Sequence, residues 1–101
     1  MTEIEIPFSQ EMTDAILQGN KICTSRYRQY GRIGDVFRVM GFPYRITNVI
    51  NPVLKFVRDN LWKEEGFSSP LAFENFWIKL HPRKRYFPDQ RVYTHFFEEV
   101  R

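Results

Sequence analysis

Two short stretches of the chain carry residue types that could do chemistry. The first is Gly19-Asn20-Lys21-Ile22-Cys23-Thr24-Ser25-Arg26, which offers a cation, a hydroxyl and a guanidinium close together. Converging, Lys21, Thr24 and Arg26 would hold an anionic or hydrogen-bonding ligand. Side chains alternate along a strand, so Thr24 and Arg26 share a face while Lys21 points away unless it lies in a turn or on a bulge. The plain alternative is that Lys21 offsets the negative end of the preceding helix, Thr24 fills a strand position and Arg26 meets a surface carboxylate.

The second stretch is Arg83-Lys84-Arg85, followed by Tyr86 and Phe87. Cations beside aromatics suit contacts with phosphates and stacked bases on a single strand, against the simpler reading of an exposed basic loop. Lys21, Arg26, Arg28 and Arg32 also fall in a run without an acidic residue, whereas the net charge of +3 says little by itself. His81 and His95 sit in no metal-ligand spacing, and no metal or cofactor is expected. Cys23 is the only cysteine, which excludes an internal disulfide and a cysteine-based zinc site. It reads as a small buried apolar side chain in a reducing compartment, and a cytoplasmic location is expected.

The elements that must position these residues can be read from periodicity and punctuation. Ile4, Ile6 and Phe8 alternate as a short strand, and Ser9 is an N-cap for a helix running to about Gln18. Gly19 suits the left-handed position that stops that helix. Ile22 to Arg26 reads as a strand, and Val36 to Met40 with Tyr44 to Ile50 as a hairpin. Asn51-Pro52 predicts a helix burying Val53, Phe56, Val57 and Leu61, punctuated by Gly66. Ser69-Pro70 predicts another, with Leu71, Phe73, Phe76, Trp77 and Leu80 on one core-facing stripe. His81-Pro82 ends it, and Arg91 to Phe97 supplies a last strand.

At 101 residues the chain reads as one domain, 1–101. Ten Phe, five Tyr and two Trp give it enough burial to form a core without covalent staples. No apolar run approaches the roughly 20 residues needed to cross a bilayer. Glu3 and Glu5 stand where a signal peptide would be basic, so neither export nor a membrane partner is expected. The order of elements predicts an α+β fold, with an antiparallel or mixed sheet curled toward a barrel and about three helices packed on it. A monomer is expected.

Ile16-Leu17-Gln18-Gly19-Asn20-Lys21 followed by Thr24 and Arg26 resembles the signature of the ASCH family. Gly34 to Val39 is similar to that family's Gly-Asp turn into a strand, Tyr44 to Val49 to its next strand, and Glu65-Gly66-Phe67 with Phe73 to its helical segment. Val92 to Phe97 is similar to its final strand. The resemblance implies a PUA-like fold with a cleft beside the lysine-bearing turn. The family includes proposed RNA binders, ribonuclease activity and amidohydrolases. Its amidohydrolase branch, which the chain also resembles, removes the acetyl group from N4-acetylcytidine and related N4-acylated cytosines.

The Lys-Thr-Glu triad proposed for that branch maps onto Lys21, Thr24 and Glu65, or Glu64 if the alignment slips by one. The resemblance thus implies Thr24 as nucleophile. Lys21 would serve as base only as the neutral amine, which a neighbouring Glu65 disfavours. The other arrangement makes Glu65 the base and Lys21 the stabiliser of the oxyanion. Arg26 would orient the ligand, Tyr27 or Tyr30 would stack on a base, and Arg83, Lys84 and Arg85 would hold an RNA backbone. The chain departs from the family pattern at Ile22, where threonine is common, and at Ser25, where an apolar residue is common. Its expected ligand is a nucleoside or single-stranded RNA. The competing reading is a non-catalytic RNA-binding module using the same cleft and the basic loop.

Overall fold

In a computed structural model describing residues 2–101, seven elements follow one another. They are α1 (Gln10–Leu17), β1 (Cys23–Arg26), β2 (Val36–Val39), β3 (Phe42–Ile50), α2 (Leu54–Asn60), α3 (Pro70–Leu80) and β4 (Tyr93–Glu99). The strands form one antiparallel sheet in the order β1-β4-β3-β2. This is the α+β architecture expected from the order of elements and the PUA-like fold that the family resemblance implies, realised as a curled, open half-barrel with three helices.

The local signals act as their chemistry dictates at three helix ends. Ser9 Oγ accepts from Met12 N at 3.2 Å and Ser69 Oγ from Ala72 N at 3.0 Å, so each cap satisfies a first-turn amide. Gly19, with φ of 80°, turns the chain out of α1. The hairpin turn between β2 and β3 is Met40-Gly41, both at positive φ, which matches the twist of the flanking strands. Between Ile46 and Asn48 the β3–β4 register slips by one residue, a bulge that sharpens the curl.

Three expectations need correction. Ile4 to Phe8 forms no strand: the backbone ladder here is limited to the bridge between Glu3 and Val36, and Pro7 lacks the amide a ladder needs. Asn51-Pro52 does not start α2. Asn51 Nδ2 donates instead to Val92 O at 2.8 Å, and the helix begins at Leu54 behind Val53, which has no side-chain cap. The carbonyls of Gln90 and Pro88 accept from Leu54 N and Lys55 N, so the loop before β4 caps α2. Finally, Phe56, Leu71 and Leu80 are exposed, because α2 is short and α3 carries more apolar residues than one face can bury.

Two apolar clusters remain. Ile6 and Ile16 pack with Phe37, Val39, Tyr44, Ile46 and Phe97 of the sheet. Leu54 and Val57 of α2 pack with Phe73 and Trp77 of α3 and with Val92. Phe37 is fully buried between Tyr44 and Phe97, so its truncation to alanine would cost about 3–5 kcal/mol. Among the described residues, no helix is long and apolar enough to cross a membrane.

Candidate functional site

A cavity of about 390 Å³ lies where β1, the start of α1, the turn after α2 and the end of α3 meet. Because β1 is an edge strand, side chains from both of its faces reach this space. Lys21, Thr24, Ser25, Arg26, Tyr27, Tyr30 and Glu65 all line it. The apolar wall comes from Phe8, Met12, Phe67, Phe73, Phe76 and Trp77.

Lys21 and Glu65 are each 3% exposed and form a buried ion pair. Lys21 Nζ lies 3.0 Å from Glu65 Oε1 and donates to the Glu65 carbonyl at 3.0 Å. Taking both charges out of water carries a cost that only close, hydrogen-bonded pairing offsets. The second oxygen of the same carboxylate is also occupied: Ser25 Oγ donates to Glu65 Oε2 at 2.5 Å and lies 2.7 Å from Thr94 Oγ1. Glu64 contributes its backbone, accepting from Ile22 N at 2.8 Å and Cys23 N at 3.2 Å. The structure thus brings the Glu65 side chain to Lys21, while Glu64 pins the start of β1.

Strand parity explains the grouping. Ser25 pairs with Thr94 and Thr24 with His95, so the two hydroxyls of β1 lie on opposite faces. Lys21 has the parity of Ser25, and it is the Ser25 face that carries Glu65. Thr24 Oγ1 accepts from Arg26 Nε at 3.3 Å, and the other face of β1 is held by His95. Tyr30 N donates to His95 Nε2 at 3.0 Å, which leaves the ring proton on Nδ1, donated to Thr24 O at 3.2 Å. Burial lowers the His95 pKa, aided by the Arg26 charge, so the ring stays neutral as a fully buried pin between β1 and the Tyr30 loop.

Arg26 is held rather than free. Its Nη2 donates to Pro7 O at 2.7 Å, and its Cζ sits 5.0 Å from the Phe8 ring centroid and 5.3 Å from that of Tyr30. Burial lowers its pKa from a value so high that it remains a cation. Arg28 Cζ lies 4.1 Å from the Tyr30 centroid. Tyr27 packs edge-on against Trp77 and His81, and Lys84 Nζ rests 4.4 Å from its ring centroid. The basic loop is therefore continuous with the cavity wall through Lys84. Arg83, Lys84 and Arg85 are exposed, and among the described residues none is in an ion pair. Trp77 keeps its indole Nε1 buried without a protein acceptor.

Ser25 and Thr94 are the residues around the Glu65 carboxylate that sequence reasoning missed, while His95 has the structural role its sequence context favours. For Ser25 the signal was present, since it shares strand parity with Lys21. Thr94 and His95 could be placed only through the pairing of β4 with β1.

No family model and no curated protein matches the sequence. Solved structures do match the fold. The hypothetical protein PH0355 superposes with a TM-score of 0.73 at 14% identity, over 99% of this chain and 100% of that one. An ASCH domain from Lactobacillus crispatus JV V101 gives 0.68 at 18% identity, over 97% of this chain and 78% of that one. Protein EF3133 from Enterococcus faecalis V583 gives 0.64 at 17% identity, over 98% and 78%. At these identities the likeness speaks for architecture and not for activity. The curled antiparallel sheet, its three helices and the superposition along nearly the whole chain show that this protein has the fold of an ASCH domain.

Proposed function

We propose that the cavity beside β1 binds the base of a nucleoside or of single-stranded RNA, and that its chemistry is cleavage of an N4-acyl amide such as that of N4-acetylcytidine. The observation that carries this reading is the buried Lys21–Glu65 pair opening onto a mostly apolar, aromatic-walled cavity of about 390 Å³. Aromatic walls suit a planar base, and a few fixed polar groups give orientation. Amide cleavage needs a nucleophile, a proton acceptor and stabilisation of an oxyanion. A hydroxyl of β1, the Glu65 carboxylate and the Lys21 and Arg26 cations meet those needs. Thr24 is the hydroxyl that the family resemblance nominates.

The test is release of cytidine from N4-acetylcytidine by the purified protein, followed by chromatography, with Thr24→Ala and Glu65→Gln beside wild type. Turnover lost on substitution supports the reading, and folded wild type that releases no cytidine refutes the hydrolytic part.

One observation favours a second, non-catalytic reading. Lys84 lies over Tyr27, so a base in the cavity and a backbone along Arg83, Lys84 and Arg85 could belong to one strand of RNA. Binding of single-stranded RNA that falls steeply with salt, in the absence of turnover, would select it.

A further inference from the structure

Two hydroxyls of β1 line the cavity, and only one faces a group able to take its proton. Ser25 Oγ lies 2.5 Å from Glu65 Oε2, the shortest of the side-chain hydrogen bonds described for this protein. Thr24 has no such partner: its Oγ1 accepts from Arg26 Nε at 3.3 Å. The neighbouring imidazole is committed elsewhere, with His95 Nδ1 on the Thr24 carbonyl and Nε2 on Tyr30 N. A hydroxyl is a weak nucleophile until a base within hydrogen-bond reach accepts its proton and a third group fixes that base. Ser25, Glu65 and Lys21 stand in that relation, because Lys21 holds Glu65 Oε1 at 3.0 Å while Oε2 faces the serine. With the serine proton directed at Glu65, Thr94 becomes the donor of the 2.7 Å bond between the two hydroxyls.

We propose that Ser25 is the nucleophile of the acyl-transfer chemistry put forward above, on which reading this inference rests. Ser25 Oγ forms a bond to the acyl carbon as its proton passes to Glu65 Oε2 and the carbonyl π pair moves onto oxygen. The oxyanion forms beside the Lys21 cation, on the face of β1 that carries Ser25. Its collapse restores the carbonyl and breaks the bond from carbon to nitrogen, and the departing amine takes the proton from Glu65. Water then adds to the acyl carbon of the Ser25 ester, giving a proton to Glu65, and the second collapse breaks the bond from that carbon to Ser25 Oγ, which takes the proton back from Glu65 as the carboxylic acid is released. The hydroxyl thus comes from the face of β1 opposite Thr24, at the position where this chain has a polar residue in place of the apolar one common to the sequences it resembles.

The experiment is labelling of the full chain with an alkyl fluorophosphonate, which a nucleophilic serine attacks at phosphorus with loss of fluoride, followed by peptide fragmentation to place the adduct. The expected result is an adduct on Ser25 that forms about 100-fold or more slowly in Glu65→Gln and is absent from Ser25→Ala. An adduct on Thr24, or no adduct on folded wild type, overturns the proposal. The wild-type mapping decides the matter even if neither variant folds. Cytidine release separates the two readings. Labelled Ser25 without release from N4-acetylcytidine keeps the nucleophile and removes the substrate, whereas release without Ser25 labelling keeps the substrate and removes the nucleophile.

Discussion

Lys21 and Ser25 grip the two oxygens of a single carboxylate: Lys21 Nζ lies 3.0 Å from Glu65 Oε1 and Ser25 Oγ 2.5 Å from Oε2. Removing Glu65 would leave a buried ammonium and a buried hydroxyl without their acceptor. Glu65→Ala is expected to cost about 3–5 kcal/mol, and Lys21→Met combined with Glu65→Leu much less, because no charge is then stranded. Urea unfolding of the single and double variants reads the difference. Equal losses in both would show that the pair itself, and not the orphaned charge, is what stability depends on.

Gly66 sets how closely the turn after α2 approaches Lys21. It has φ of 96°, and a Cβ there would stand 3.0 Å from Lys21 Cβ and 3.3 Å from Ala15 Cβ. Gly19 has φ of 80° and open space around the same position. Both alanine variants carry the left-handed backbone cost of about 1–2 kcal/mol. Gly66→Ala should lose more, because Lys21 must also move, and it alone should weaken ligand binding. Denaturation midpoints of the two variants make the comparison.

Much of the fold was legible because its signals are local. Ser9, Ser69 and Gly19 satisfy or terminate helix ends by contacts within a turn, so their types and spacing suffice. Asn51-Pro52 failed because the amides it was expected to cap are taken by carbonyls of residues 88 and 90, far along the chain. Lys21, Thr24 and Arg26 stood out as chemistry in one segment. That Glu65 belongs beside Lys21 followed from resemblance, since no periodicity links residues across that distance. Ser25 was legible as well, because the alternation that sets Lys21 apart from Thr24 gives Lys21 the parity of the next residue along the strand.

His95 gives the domain a pH dependence. The pKa of the buried ring is lowered, chiefly by desolvation, so the unfolded chain binds a proton more readily than the folded one. Its contribution is therefore full above the ordinary histidine value of about 6.5 and is lost as pH falls through the depressed folded value. A protonated Nε2 also could not accept from Tyr30 N. Melting temperature should fall from pH 7 to pH 5 in wild type, and the fall should flatten in His95→Gln. His81, whose pKa is also lowered by burial, contributes in the same direction, so His81→Gln is the needed control.

The basic loop can be tested through its salt response. Single-stranded binding falls with log salt by about 0.7 in log affinity for each phosphate neutralised. Replacing Arg83, Lys84 and Arg85 together by alanine should lower that slope by about 2 if all three meet phosphates. An unchanged slope in fluorescence anisotropy with a labelled oligonucleotide would place the backbone elsewhere on the protein.

Cys23 is fully buried one residue before Thr24, and burial with the nearby Glu65 charge pushes its thiol far above the ordinary range. An alkylating reagent can reach it only when β1 detaches. The chain therefore carries its own clock for the opening of the strand that bears Thr24, Ser25 and Arg26, with each tenfold slowing worth about 1.4 kcal/mol of added protection. Any compound that fills the cavity slows that clock by mass action. A panel of nucleosides and oligonucleotides can thus be ranked by the lifetime of one thiol, before any turnover is known.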